Sequence, residues 1–550
     1  MIKHHILVLL LLPFLIYSQN NSGEIHGDFN LSLQSYKDDV SINAQGADEV
    51  ILNNSYFNLI YTKGKFTAGL RYESYLNALA DYDPEFKGNG IPYRFANYQL
   101  DELEITAGNF YEQFGSGIIL RSYEEKGLGI DNAMDGIRLK YTPFSGVSLK
   151  TFIGKSRTYF TYADGIIRGL DGEVNINDFL SLENKIRFIL GGSFVSRYQQ
   201  RTNPQFKLPQ NVSAYACRLN VIKGGWNYYG EYAYKINDPK NSLQENEMNY
   251  ASGNTFANSI TYSKKGFGIN AEMHRTDNMT FKSDRDKDGK AYLINYIPTL
   301  SKQHAYTLLA LYPCATQTDG EYGVQFDIYY KINKGSFFGG KYGTKLNFNY
   351  SRINSLNNGP SFLNDNYEHT PIFISSKNEE LYFEDINIEI DRKINKLIKV
   401  NAILANQTYN KDVLEGHTQG DFGVINSTIA VLEISYKIKE SHSIRIELQE
   451  LLAEQLEHAE ENEEGSWSMA LVEYTISPHW FFAFQDMYNW GNEDVEKQLH
   501  YLNFNCGFIK GANRFSIGYG KKREGIFCVG GVCKLVPSSN GFSLNISSSF

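Results

Sequence analysis

Three carboxylates at alternate positions, Asp284, Asp286 and Asp288, stand ahead of Gly289 in the run Asp284-Arg285-Asp286-Lys287-Asp288-Gly289. Such spacing lets hard oxygen ligands converge on one cation while the glycine takes the sharp turn, which is the first half of a calcium-binding loop. The twelfth position is Asn295, where a helix-loop-helix calcium site requires a bidentate Glu, and no flanking helices are evident. Two readings stay open: a structural calcium ion that stiffens a loop, or a solvated acidic turn. No other cofactor is expected.

Near the carboxy terminus, Cys528 and Cys533 flank Gly530-Gly531, a dipeptide that accepts positive φ at both central positions of a two-residue turn. Val529 and Val532 then close the turn, and the two cysteines face each other across the ladder about 4.5 Å apart at their α-carbons, within disulfide range. A Cys528–Cys533 bridge is expected to staple a hairpin at the cell surface. The alternative, a reduced or metal-ligating pair, lacks a nearby second pair to complete a zinc site. Cys217, Cys314 and Cys506 have no such local partner.

The stretch Gly108 to Gly117 is aromatic and glycine-rich around a lone Glu112, and Arg121, Glu124, Glu125 and Lys126 follow it. Folded inward, Glu112, Arg121 and Glu124 are candidates to line a pore and select solutes by field and size; a turn in which Gly115 and Gly117 relieve strain is the alternative. The acidic run from Glu447 through Glu464 reads as a solvated face. There is no nucleophile motif, HExxH helix or phosphate-binding glycine loop. A catalytic triad drawn from separate strands is not excluded by this, but a non-enzyme is expected.

The elements that position these residues are strands. Period-two segments run from one end of the chain to the other, among them Tyr56 to Thr62, Phe66 to Tyr72, Tyr322 to Tyr330, Val424 to Ile438, Tyr501 to Phe508 and Arg514 to Tyr519. Short turns, such as Lys63 to Lys65, Lys223 to Gly225 and Lys510 to Asn513, alternate with long polar stretches, such as Asn77 to Leu100, Arg275 to Gly320 and Asn354 to Glu380. A transmembrane barrel sorts its connections in this way, with short periplasmic turns and longer extracellular loops, whereas a soluble sandwich has no reason to. The count is roughly 24 antiparallel strands, within 20 to 26, in a single all-β barrel with both termini at the periplasmic side. A barrel this large encloses an aqueous lumen or needs a plug. The first strand is expected near Ile25 with no plug domain ahead of it, so whatever fills the lumen must come from inward-folded loops.

Composition agrees. Tyr and Phe are abundant at 39 and 35, Pro is scarce at 13, and mean hydropathy is −0.39, as expected when only alternate residues meet lipid. The net charge of −9 comes without a basic stripe, so no nucleic-acid partner is expected. Lys3, His4 and His5 precede an apolar run from Ile6 to Ile16, too short for the roughly 20 residues of a spanning helix. This reads as a signal peptide over 1–18, cleaved after Ser18, leaving a barrel over 19–550. The small residue followed by Gln at the cut resembles exported proteins of the Bacteroidota. In the last ten residues Phe542, Leu544, Ile546 and Phe550 share one face. That pattern resembles the carboxy-terminal signal read by the outer-membrane barrel-assembly machinery.

The run Gly108 to Gly117, Ile118 to Glu125, Gly129 to Ala133, the Asp284 to Gly289 loop and the closing Gly530 to Cys533 together resemble an uncharacterised, porin-like family of Bacteroidota outer-membrane β-barrel proteins. The resemblance spans the mature chain and implies location and architecture only. The expected function is therefore an outer-membrane channel or transporter for a hydrophilic solute or polymer. The alternative is a structural or assembly component that binds envelope proteins or carbohydrate through its loops, and an outer-membrane hydrolase is a remote third.

Overall fold

The computed structural model describes residues 23–550 except 184, 202, 237, 242–247, 357–378, 456–458 and 460–464. The expected signal segment 1–18 and the acidic positions Glu457, Glu460, Glu461, Glu463 and Glu464 lie outside the described residues. Twenty-four strands form one antiparallel sheet, each hydrogen-bonded to its neighbours in chain order. The sheet closes on itself, because Glu24–Gln34 pairs with Leu52–Lys63 on one edge and with Ser539–Ser549 on the other. This is the expected barrel at the expected strand number.

Alternation fixes which side of the wall each residue faces, since a one-residue slip would turn every apolar side chain inward. In the last strand Phe542, Leu544 and Ile546 stand opposite Tyr519, Ile517 and Phe515 of Asn513–Lys522, forming an apolar patch on the outer wall. The residues between them, Ser543 and Asn545, line a cavity inside the barrel. Phe550 exchanges two backbone hydrogen bonds of 3.0 Å with Gly27. Its ring stacks on Phe57 and occupies the space that a Cβ on Gly27 would need.

Connections sort by parity, as the turn chemistry implies. One end carries tight turns such as Gly64-Lys65, Gly224-Gly225 and Gly511-Ala512, and the other carries 35–51, 111–133, 278–319 and 523–538. There are departures at both ends. Tyr159-Phe160 makes a two-residue connection at the long-loop end, and 176–185 and 333–343 are longer than the other turns at theirs. A correction also applies to the polar stretch Asn77 to Leu100: its second half is the strand Gly88–Gln99. Gly88, Gly90 and Pro92 disguise the alternation there, and pairing with Phe66–Tyr75 and Leu103–Phe110 overrides that local preference.

The largest apolar clusters lie within the barrel. One joins Leu308, Leu309 and Tyr312 of the long loop to Ile403, Ile429, Leu451 and Trp467 on strands. The second joins Phe114, Ile118, Ile119 and Leu120 to Phe152, Ile167 and Val195 on strands and to Met279, Phe281 and Ile294 of the long loop.

Candidate functional site

Among the described residues, three connections from the long-loop end fold into the lumen: 111–133, 278–319 and the hairpin within 523–538. The first inserts Phe114, Ile118, Ile119 and Leu120, each almost fully buried. Burial of four such side chains is worth roughly 6–12 kcal/mol gross, enough to hold the loop against the wall. It is also sewn to the second loop through backbone and amide groups. Arg121 N–H donates to the Ile294 carbonyl at 2.8 Å, and Tyr296 N–H to that of Gly117 at 2.9 Å. Asn132 and Asn295 side-chain amides donate to Leu293 and Ile118 carbonyls at 2.7 and 3.1 Å.

Buried charges fix the first loop to the wall. Asp131 accepts from Arg157 at 2.5 Å, from Arg71, and from the Tyr111 hydroxyl at 3.1 Å. Both arginines are also held by Glu73 on the same wall, at 2.6 Å from Arg71 and 2.5 Å from Arg157. At the loop tip, Glu231 accepts from the Ser116 N–H and hydroxyl at 2.9 and 2.6 Å. Gly115 is required there, because its φ is +54° and a Cβ would lie 2.5 Å from the Glu231 carboxylate.

The second loop is held just as firmly. His304 pairs with Asp385 at 2.6 Å, Lys302 with Glu389 at 3.4 Å, and Leu308 N–H donates to Gln449 at 2.8 Å. Cys314 lies near His304 on the wall of a small cavity, but burial pushes its thiol up, away from a reactive thiolate.

The hairpin packs differently. Cys528 and Cys533 are disulfide-bonded and directly opposed, with Gly530 and Gly531 at positive φ in the turn, as their spacing implies. Its position is a correction: the hairpin does not stand at the cell surface but docks inside. Tyr296 hydroxyl donates to the Gly530 carbonyl at 2.7 Å, Thr316 N–H to that of Gly531 at 3.0 Å, and Lys534 pairs with Asp81 at 2.9 Å. Cavities of about 750, 360 and 130 Å³ all take residues of this connection as part of their walls. Phe527 and Leu535 stay 44% and 59% exposed.

The residues singled out in the sequence fall as follows. Glu112 is buried between Arg138 at 3.4 Å and Lys150 at 3.1 Å. Arg121 stacks between the rings of Tyr123 and Tyr296, and Glu124 meets Arg71 at 2.8 Å, its carboxyl pushed up by burial. All three belong to the loop that fills the lumen and are engaged by neighbours. The Asp284, Asp286 and Asp288 carboxylates are not gathered around a common point. Gln199 amide donates to Asp284 at 2.7 Å and to Asp286 at 3.3 Å, while Asp288 projects outward onto Lys282 at 2.6 Å. Among the described residues no group of three or more His, Cys, Asp or Glu side chains is arranged to hold a metal ion. Sequence reasoning missed Arg71, Glu73, Arg157 and Glu231; their only signal was a charge at an inward strand position, and apart from the neighbours Arg71 and Glu73 they meet partners on the 111–133 loop or on a distant strand, as Glu73 does Arg157, 84 residues away.

A family model described as "Family of unknown function (DUF6029)" matches residues 1–550. No curated protein matches the sequence. Among solved structures, the translocation pore of the P pilus usher PapC is 9% identical, with 96% of this chain and 99% of that one covered at a TM-score of 0.42. The siderophore receptor PirA from Pseudomonas aeruginosa is 7% identical, with coverages of 97% and 82% at 0.42. Pseudomonas aeruginosa OpdL is 12% identical, with coverages of 79% and 98% at 0.36. Scores this low transfer no function.

Proposed function

The chain belongs to that family of unknown function, so its activity has to be read from its own geometry, and we propose that it is an outer-membrane channel or transporter for a hydrophilic solute. An outer wall of exposed Phe504, Phe515, Ile517 and Phe542 suits lipid and would be a liability in water. In this reading the short turns face the periplasm, the long loops the exterior, and Phe542, Leu544, Ile546 and Phe550 present the strand on which the assembly machinery acts. The observation that carries the reading is the cavity of about 750 Å³ between the hairpin and an amide-rich sector of wall. Two loops are anchored by apolar cores, whereas the hairpin borders the largest of the three cavities, so in this reading it is, among the described residues, the segment that closes the path.

Conductance in planar bilayers tests this. Replacing residues 525–536 with a short Gly-Ser linker is expected to raise open-channel current well above that of the native protein. Equal, sealed behaviour of both would remove the channel reading. It would select a structural component with an occluded lumen that binds envelope partners through its loops, a reading favoured by the apolar packing of the two larger plug segments.

A further inference from the structure

We propose that the cavity between the hairpin and the wall is a binding site for a neutral saccharide; this deepens the channel or transporter reading and rests on it. The wall side is built from uncharged hydrogen-bonding side chains. Gln34, Gln485, Asn503, Asn505, Ser543 and Asn545 line the cavity from strands that pair side by side around the closure. The Asn505 amide donates to the Asn503 side-chain carbonyl at 2.5 Å, which orients the row.

Two inward positions beside these amides have no side chain. Gly518 and Gly520 alternate with the outward-facing Ile517 and Tyr519. A Cβ on Gly518 would lie 2.5 Å from the Asn505 carbonyl oxygen and 2.7 Å from the Ser543 hydroxyl, and one on Gly520 2.7 Å from the Asn503 amide nitrogen. The missing side chains thus let the amide and hydroxyl groups of the neighbouring strands lie across this sector of wall as a close-packed polar row. Opposite that row, Phe527 and Val536 share one face of the hairpin and offer an apolar side, with the Phe527 ring half-exposed.

A ligand that satisfies both sides has an edge rich in donors and acceptors and a flat apolar face. Saccharide rings have both, with hydroxyls at the rim and C–H groups above and below. The volume falls within the roughly 300–1,000 Å³ of small-molecule sites. Charge also points to a neutral ligand. No lining residue from Trp480–Asn489, His500–Lys510 or Ser539–Ser549 is ionisable except the Tyr501 phenol. Of the charged lining residues, Lys521 is paired with Asp39 at 2.6 Å and Lys534 with Asp81 at 2.9 Å, Arg523 lies over the Trp467 ring, and Lys522 and Glu524 are of opposite sign.

Isothermal titration of the full chain in detergent with maltohexaose, chitohexaose and mannohexaose, against hexagalacturonate and citrate, tests the proposal. At least one neutral oligosaccharide is expected to bind. Phe527→Ala on the hairpin and Asn505→Ala on the wall should each weaken it about tenfold, with both variants retaining heat-modifiable migration. Binding by none of the three, affinity unchanged in both variants, or tighter binding of an anionic probe would overturn the proposal. Binding in detergent is independent of conductance. A sealed barrel that binds removes only transport, and a conducting barrel that binds none of the three removes only this site.

Discussion

Asp131→Asn is the most direct test of whether the 111–133 loop is clamped by charge. One carboxylate oxygen accepts from Arg71 and Arg157, and the other from the Tyr111 hydroxyl and the Ala133 N–H. Asparagine keeps the second set of bonds but turns an NH₂ toward two guanidinium groups. Those arginine side chains are 5% and 1% exposed, so water cannot restore the lost charge. Breaking a buried pair in this way costs about 3–5 kcal/mol, or a hundred- to several-thousand-fold in the equilibrium between docked and loose loop. Hydrogen exchange in detergent reads it. The amides of Phe114, Arg121 and Ser122, which donate to Leu120, Ile294 and Glu112 carbonyls, should exchange faster by that factor, while those of Asn211–Lys223 stay unchanged. Glu124→Gln is the internal control. Burial raises the Glu124 carboxyl, so its contribution is full below the ordinary carboxylate value and lost as pH rises through the raised one. Neutralising it should therefore leave the loop as well protected at pH 7, or better. A change of less than tenfold in Asp131→Asn, or equal loosening by both variants, would refute the clamp.

Gly115→Ala puts a methyl group 2.5 Å from Glu231 at a backbone φ of +54°; the strain of about 1–2 kcal/mol and the weakened hold on Ser116 should speed exchange of the Ser116 amide without altering the barrel strands. Asp39 is drawn down to about 2, chiefly by its bond to Lys521. A depressed carboxylate stabilises above its ordinary value and ceases to as pH falls through the lowered one, so Asp39→Asn should loosen the Lys37 amide bonded to Asn540 at pH 7 and have no effect below about pH 2. Phe550→Ala should cost only about 1 kcal/mol in refolding from urea into lipid, because its ring packs on Phe57 at an exposed seam, yet sharply lower the amount inserted in cells. Unchanged insertion would remove its assembly role.

The wall was readable because strand alternation and loop parity are local, repeated signals that average over many segments. Asn77 to Leu100 shows the limit: Gly88, Gly90 and Pro92 weaken the pattern, and only pairing on both sides makes Gly88–Gln99 a strand. The cysteine hairpin was equally readable, since a two-residue turn dictates which residues face each other, but the same geometry says nothing about the direction in which the hairpin folds. That depends on Tyr296, Thr316 and Asp81, far away in sequence. The Asp284 to Gly289 run shows the complementary limit. Its spacing is right for a cation, but Gln199 from another loop takes two of the carboxylates and Lys282 the third.

The same distinction between local and distant signals explains the division of labour in the lumen. A connection that carries several large apolar residues, as 111–133 does with Phe114, Ile118, Ile119 and Leu120, gains enough from burial to become part of the wall's core. The 525–536 hairpin has its apolar residues on a two-stranded ribbon too narrow to bury them, which is why Phe527 and Leu535 remain exposed beside cavities. Its cross-link supplies the internal order that packing does not. The polar sector of wall lies beside this hairpin, and in the proposed channel reading it is the sector along which a solute would pass.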